Sequence, residues 1–318
     1  MRPTKLLLGA LFLYSACSPG SRTAGARNER SDSGERADVV PVTPTEYATS
    51  MTFLSGSGTQ LSGLVLQLAN YATRAGLKRN YRGWLLERAG WQSVMNLEIQ
   101  DGPTRAPWRI FPSDSLSLIV DSDGDTERLS IRSGRTGYSL EFGDLLDAWE
   151  DRAGTRHEIR ISNLVRRGRA ISGVLVQQRF AIPTPSLPTI FGAFERVVVT
   201  SEDGAILVFF NTRDPETYGE PFAWMYADGL TRRWPELETR TVEVVNAASL
   251  RRNIPVRTWF RIAEPDIKCE LTAQAREVTE FDTDAGPKPY NALYRVSGWV
   301  EFAGERRRVQ GIMERAEP

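Results

Sequence analysis

The sequence predicts an all-β protein, two antiparallel β-barrels packed together behind an export segment and a flexible tether. Three observations predict it. Beyond residue 45, apolar and polar residues alternate in short runs of period two, broken by Gly, Asp, Asn and Pro. Only 143–152, carrying Trp149, reads as a helix, and it is barely about three turns long. A short repeat also divides the chain. Arg169-Ala-Ile-Ser-Gly-Val-Leu-Val aligns with Arg307-Arg-Val-Gln-Gly-Ile-Met-Glu, offset by 138 residues, and each is expected to be the last strand of its half.

The export segment comes first. Arg2 and Lys5 give a positive start, and 6–16 is an uncharged, mostly apolar run. As a helix it spans about 17 Å, against about 30 Å for a hydrocarbon core, so it suits a signal peptide and not a membrane-spanning helix. Ser15 and Ala16 supply the small residues a signal peptidase needs, and Cys17 follows. The segment resembles the bacterial lipoprotein signal, with Tyr14 where that signal usually has Leu. The resemblance implies that 1–16 is removed and that Cys17 is lipidated and anchors the chain in the membrane. Ser18 in place of Asp points to the outer membrane, with the protein facing the periplasm. Residues 17–45 are rich in Gly, Ser, Pro and charge and lack aromatics, so they cannot offset chain entropy by burial and are read as a tether.

The first half, 46–190, holds strands expected at 61–71, 81–87, 91–99, 116–121, 126–132, 138–142, 155–164 and 169–180. Ser122-Asp-Gly-Asp is a hairpin turn, because Gly124 takes positive φ without cost. Asp121, Asp123 and Asp125 superficially resemble a calcium loop, but Thr126 and Arg132 stand where that loop needs Gly and Glu. Pro183, Pro185 and Pro188 exclude a central strand and mark the connection between halves. In the second half, 191–318, strands are expected at 195–200, 205–210, 221–227, 239–246, 256–262, 267–275, 293–302 and 306–314. Barrel closure removes exposed sheet edges, which is why so many strands with so little helix point to barrels.

Composition narrows the function. The formal charge is zero, and loss of Arg2 and Lys5 on processing leaves the chain slightly acidic. No basic excess is available for phosphates, which argues against a nucleic-acid partner. Of the two cysteines, Cys17 lies at the processing site, so Cys269 is left as a lone thiol expected to point inward as a small apolar residue. His157 is the only histidine and is expected at an edge or surface. With one His and one thiol, no metal site is expected. No P-loop, dinucleotide loop or catalytic triad motif occurs, and no cofactor is expected.

The order of pieces resembles the tandem-lipocalin family of hydroxyneurosporene synthase (the carotenoid hydratase) and the AttH-like proteins. Asn80-Tyr-Arg-Gly-Trp-Leu with Gly90 behind it is similar to that family's first strand and turn. Arg252-Asn-Ile-Pro-Val-Arg-Thr-Trp-Phe-Arg-Ile stands at its Tyr-Pro-x-x-Trp segment. Tyr294-Arg-Val-Ser-Gly-Trp-Val, Gly304 and Val309-Gln-Gly311 are similar to its closing signature. The family's paired tryptophans before the first Tyr are replaced by Arg79 and Asn80, and its C-terminal Tyr-Leu-Glu-Leu by Ile312-Met-Glu-Arg. The resemblance implies two lipocalin-like barrels of eight to ten strands, with a cavity able to hold an elongated apolar molecule.

Aromatic residues are the candidate cavity wall: Tyr81, Trp84, Trp91, Trp224, Trp259 and Trp299. Inward rings would line a pocket, and outward rings would pack barrel on barrel. Alkene hydration would need a buried carboxylic acid of raised pKa, for which Glu87, Glu98, Glu195, Asp228 and Glu270 are candidates. Three functions follow as expectations. The first is an envelope lipoprotein carrying a lipid or terpenoid. The second is a hydratase, cyclase or isomerase acting on a polyene or terpenoid. The third is a structural envelope protein with filled barrels.

Overall fold

A computed structural model describes residues 45–56, 60–102, 106–120, 126–183, 193–281 and 286–318. Cys17, the export segment, the tether, the turn at 122–125 and most of the Pro-rich connection lie outside the described residues.

Nine strands build the first sheet: β1 (Thr45–Ser55), β2 (Ser62–Thr73), β3 (Gly76–Glu87), β4 (Gly90–Asp101), β5 (Leu116–Val120), β6 (Thr126–Ser133), β7 (Thr136–Glu150), β8 (Arg156–Arg166) and β9 (Arg169–Pro183). Nine more build the second: β10 (Phe194–Ser201), β11 (Ile206–Thr212), β12 (Phe222–Ala227), β13 (Leu230–Trp234), β14 (Glu238–Ala247), β15 (Arg252–Ile262), β16 (Ile267–Glu280), β17 (Tyr290–Phe302) and β18 (Glu305–Glu317). A four-residue helix, α1 (Pro215–Tyr218), lies between β11 and β12 and is capped by Asp214.

The sheet orders are 4-3-2-1-9-8-7-6-5 and 13-12-11-10-18-17-16-15-14, the same antiparallel plan used twice. Each sheet curls into a lipocalin-like barrel, with its first strand paired to its last and an unpaired seam between β4 and β5 or between β13 and β14. Gly173 and Gly311 occupy the repeat's matching positions on the closing strands. A Cβ at either would collide with the neighbouring backbone, at the Leu54 carbonyl oxygen in one barrel and the Val198 carbonyl oxygen in the other. The residues that follow these glycines, Val174 and Ile312, pair with Leu54 and Val198. That register superposes the first, second and closing strands of the two barrels residue by residue.

Three apolar clusters result. Met51, Phe53, Leu66, Tyr81, Leu129 and Leu175 belong to the interior of the first barrel. Val197, Phe209, Phe260, Cys269, Tyr294 and Met313 belong to that of the second. Between them, the outer faces of both barrels meet through Leu54, Val65, Trp84, Val198, Phe222 and Trp224. Each fully buried side chain of this size contributes roughly 1.5–3 kcal/mol. Strand β1 is buried on both faces over Thr49–Ser55, so it shows no alternation, and the sequence expectations passed over it.

The expected helix at 143–152 is instead the second half of β7. Register shifts between Phe142 and Leu145 and between Leu145 and Asp147 break the period of two. Leu146 and Trp149 therefore both pack against the inter-barrel cluster although they are three apart, a spacing that imitates a helix.

Candidate functional site

The two barrels differ at one row of inward-facing residues. In the first barrel Met51 lies between Leu66 and Gln177; at the superposed place in the second, Glu195 lies between Asn211 and Arg315. The first barrel carries two apolar side chains and one buried amide there, and the segment 106–112 is held at its end. Asn70 Nδ2 donates to the carbonyls of Pro107 (2.7 Å) and Arg109 (2.6 Å), and Arg79 Nη1 donates to that of Pro112 (2.9 Å). Tyr81 Oη donates to Asn70 Oδ1 (2.7 Å) and accepts from the backbone N–H of Phe111 (3.1 Å). These buried polar groups thereby satisfy one another and hold the closing segment in place.

The second barrel keeps a cavity of about 290 Å³, lined by residues that include Glu195, Asn211, Thr258, Arg315 and Glu317. Arg213, Arg240 and Thr241, all exposed, line it toward solvent. Arg315 holds both carboxyls, Glu195 through Nη1 (3.1 Å) and Glu317 through Nε (2.8 Å). Glu317 also meets Arg252 (3.7 Å). Asn211 Nδ2 donates to Thr239 Oγ1 (2.8 Å), bridging β11 to β14. Burial pushes the Glu195 carboxyl above the usual carboxylate range, against the pull of Arg315 and the Thr258 hydroxyl. Two fully buried tyrosines of the same interior, Tyr290 and Tyr294, have hydroxyls without a hydrogen-bond partner and feel the charges of Arg315 and Glu317.

His157 is not at a surface. It is 1% exposed and packs between the barrels, because β8 turns its outer face toward β11 and β12. Its ring stacks on Trp149 (4.7 Å between centroids) and meets Phe222 edge-on (5.0 Å). Burial lowers its pKa, Asp151 only partly offsets this, and the neutral ring is thereby favoured. In the tautomer that the contacts select, Nε2–H donates to Asp151 Oδ2 (2.9 Å) and Nδ1 accepts from Gln178 Nε2 (3.2 Å). Asp151 also accepts from the N–H groups of Ala153, Thr155 and Glu220, each at 3.0 Å. With both ring nitrogens engaged, His157 has no free lone pair for acid–base work. It serves as a joint between barrels. Nearby, Arg196 and Glu314, 2% and 1% exposed, form a second polar joint with Ser50, Gln67 and Asn291.

The aromatic candidates divide among three places. Tyr81 is inside the first barrel. Trp84, Trp91 and Trp224 belong to the contact between barrels, where Trp224 Nε1 donates to Asp147 Oδ2 (3.1 Å). Trp259 and Trp299 flank Glu270 on the outer face of the second barrel, and the Arg306 guanidinium lies 3.9 Å from the Trp299 ring centroid. None of the six lines the cavity.

Of the five carboxyl candidates, only Glu195 is among the cavity's lining residues. Glu87 pairs with Arg166, Glu98 with Lys78 (2.5 Å) and Glu270 with Arg257 (3.7 Å), while Asp228 sits in an exposed turn. Sequence reasoning missed Asn211, Thr258, Arg315 and Glu317. For the last two the signal was present, since Val309, Gly311 and Met313 alternate inward and the same face continues to Arg315 and Glu317.

Comparison with protein-family models finds no match, and neither does comparison with curated protein sequences. Solved structures do match. An AttH-type protein from Nitrosomonas europaea is 14% identical with a TM-score of 0.56, covering 86% of this chain and 92% of its own. Kievitone hydratase from Nectria haematococca is 12% identical with a TM-score of 0.50, covering 87% and 89%. At these identities the likeness shows the fold, and the chain shares with both the pairing of two lipocalin-like barrels.

Proposed function

We propose that this protein binds a small ligand inside its second barrel, beside Glu195, Asn211 and Arg315. The observation that carries this reading is the polar row Asn211–Glu195–Arg315, which stands where the first barrel has Leu66–Met51–Gln177. A lipocalin-like fold supports ligand binding in general. The cavity volume lies near the lower end of small-molecule sites. Its charged and hydroxylated lining supports a compact ligand with polar groups over an elongated apolar one. Native mass spectrometry of the purified full chain tests the reading. A small compound should accompany the wild type and be absent from E195M/N211L/R315Q. The same compound on both proteins would count against it.

A second reading is favoured by Glu195 alone. A buried carboxyl held toward its protonated form is what protonation of a double bond requires. Likeness of fold to a hydratase supports this only weakly. On that reading, a recovered compound would be hydrated or isomerised by the wild type and left unchanged by E195Q.

We further propose export and anchoring at the outer membrane through lipidated Cys17, supported by the short apolar run and the small residues before the cysteine. A diacylglyceryl mass on the N-terminal peptide from membranes would support it, and an unmodified or uncleaved N-terminus would refute it.

A further inference from the structure

The cavity's hydrogen-bonding capacity is unequally spent. Its two carboxyls are already engaged, Glu195 by Arg315, and Glu317 by Arg315 and Arg252. At the rim, Arg213 and Arg240 make no ion pair among the described residues. Among the lining residues three guanidinium groups, of Arg213, Arg240 and Arg315, face two carboxyls, so the site carries a positive excess even with both acids ionised. At about 290 Å³ the cavity is far larger than an inorganic ion needs, which leaves room for an organic body.

We infer that the ligand is a small organic carboxylate, drawn in by Arg213 and Arg240 and bounded inside by the Glu195–Arg315–Glu317 row. This inference rests on the ligand-binding reading of the second barrel. A guanidinium matches a carboxylate with two parallel N–H donors, and an unpaired guanidinium makes that contact without first breaking another. An uncharged ligand would leave the excess charge uncompensated. A cationic one would meet repulsion from every unpaired group at the entrance. The organic body of the ligand would lie beside Thr239 and Thr258, which are among the cavity's lining residues.

Calorimetric titration of the full chain tests this, with benzoate and hexanoate as probes and benzamide and hexanamide as their uncharged counterparts. The wild type should prefer the carboxylates by at least about tenfold, with the preference shrinking as salt rises. R213Q/R240Q alters only exposed side chains, should unfold at the wild-type denaturant midpoint, and should lose the preference. Equal affinity for amides and carboxylates, or an unchanged preference in R213Q/R240Q, would overturn the carboxylate assignment while leaving ligand binding standing. Tighter binding of inorganic phosphate than of either carboxylate would also overturn it. Absence of saturable binding by all four probes at millimolar concentration would count against the cavity reading itself.

Discussion

The first and second barrels share strand order, closing strands and the crowded glycines Gly173 and Gly311, yet at one superposed row the first carries Leu66, Met51 and Gln177 where the second borders a cavity. The difference lies in side chains at superposed positions. Met51 and Leu66 fill space that Glu195 and Asn211 leave polar, and Gln177 stands where Arg315 anchors two carboxyls. Polar burial is present in both barrels but is used differently. In the first, Asn70, Arg79 and Tyr81 are spent on the backbone of the segment that closes the barrel end. In the second, the polar groups face an open space and several retain capacity. One fold thus builds two barrels that differ in a few inward residues.

The comparison can be broken most forcefully from the first barrel. Met51→Glu places a carboxyl in a filled interior without an arginine opposite it, since Gln177 is its partner. The expected loss is about 3–5 kcal/mol of unfolding free energy, measured by urea denaturation. A loss below about 1 kcal/mol would show that the first barrel admits water as the second does.

A smaller effect is expected from Tyr81→Phe, which leaves Asn70 Oδ1 and the Phe111 N–H without their shared partner. It should cost about 1–3 kcal/mol and speed hydrogen exchange in 106–112, leaving ligand binding in the second barrel unchanged. Altered ligand binding in Tyr81→Phe would mean that the barrels are not independent in this respect.

The smallest effect is set by pH at the joint. Burial holds the folded-state pKa of His157 below its ordinary value, so the unfolded chain takes up the proton first. Stability from this group is therefore fully present above about pH 6.5 and is lost as pH falls, by at most about 1.4 kcal/mol per pH unit. Urea denaturation at pH 7.5 and 5.5 should show a fall in the wild type that is smaller in His157→Gln. Equal falls would assign the pH dependence to other groups.

The division into halves was legible in the sequence because Gly173 and Gly311 mark a backbone requirement, the close approach of the first and last strands, that recurs in each barrel. Much of the strand pattern was legible for the same local reason, alternation. What alternation cannot reveal is which of two apolar faces is a barrel interior and which is a contact between barrels. Trp84 and Trp224 looked like cavity wall because the outer faces of β3 and β12 are buried as well as the inner ones. His157 looked exposed beside Arg156 and Glu158 because its cover, Phe210 and Phe222, comes from the other half of the chain. Glu195 was legible as a candidate acid but not as the chosen one, since its cavity depends on Asn211 and Arg315, which are distant in sequence.

The most direct test of the account is to write the first barrel's row into the second as E195M/N211L/R315Q and measure its unfolding free energy beside the wild type. Replacing a buried ion pair with side chains of similar volume removes a desolvation penalty, and groups kept for a ligand are not optimised for stability. The account predicts a variant more stable by about 1–4 kcal/mol that no longer takes up the ligand. A variant that is clearly less stable than wild type, or that still binds, would contradict the assignment of this row to ligand binding.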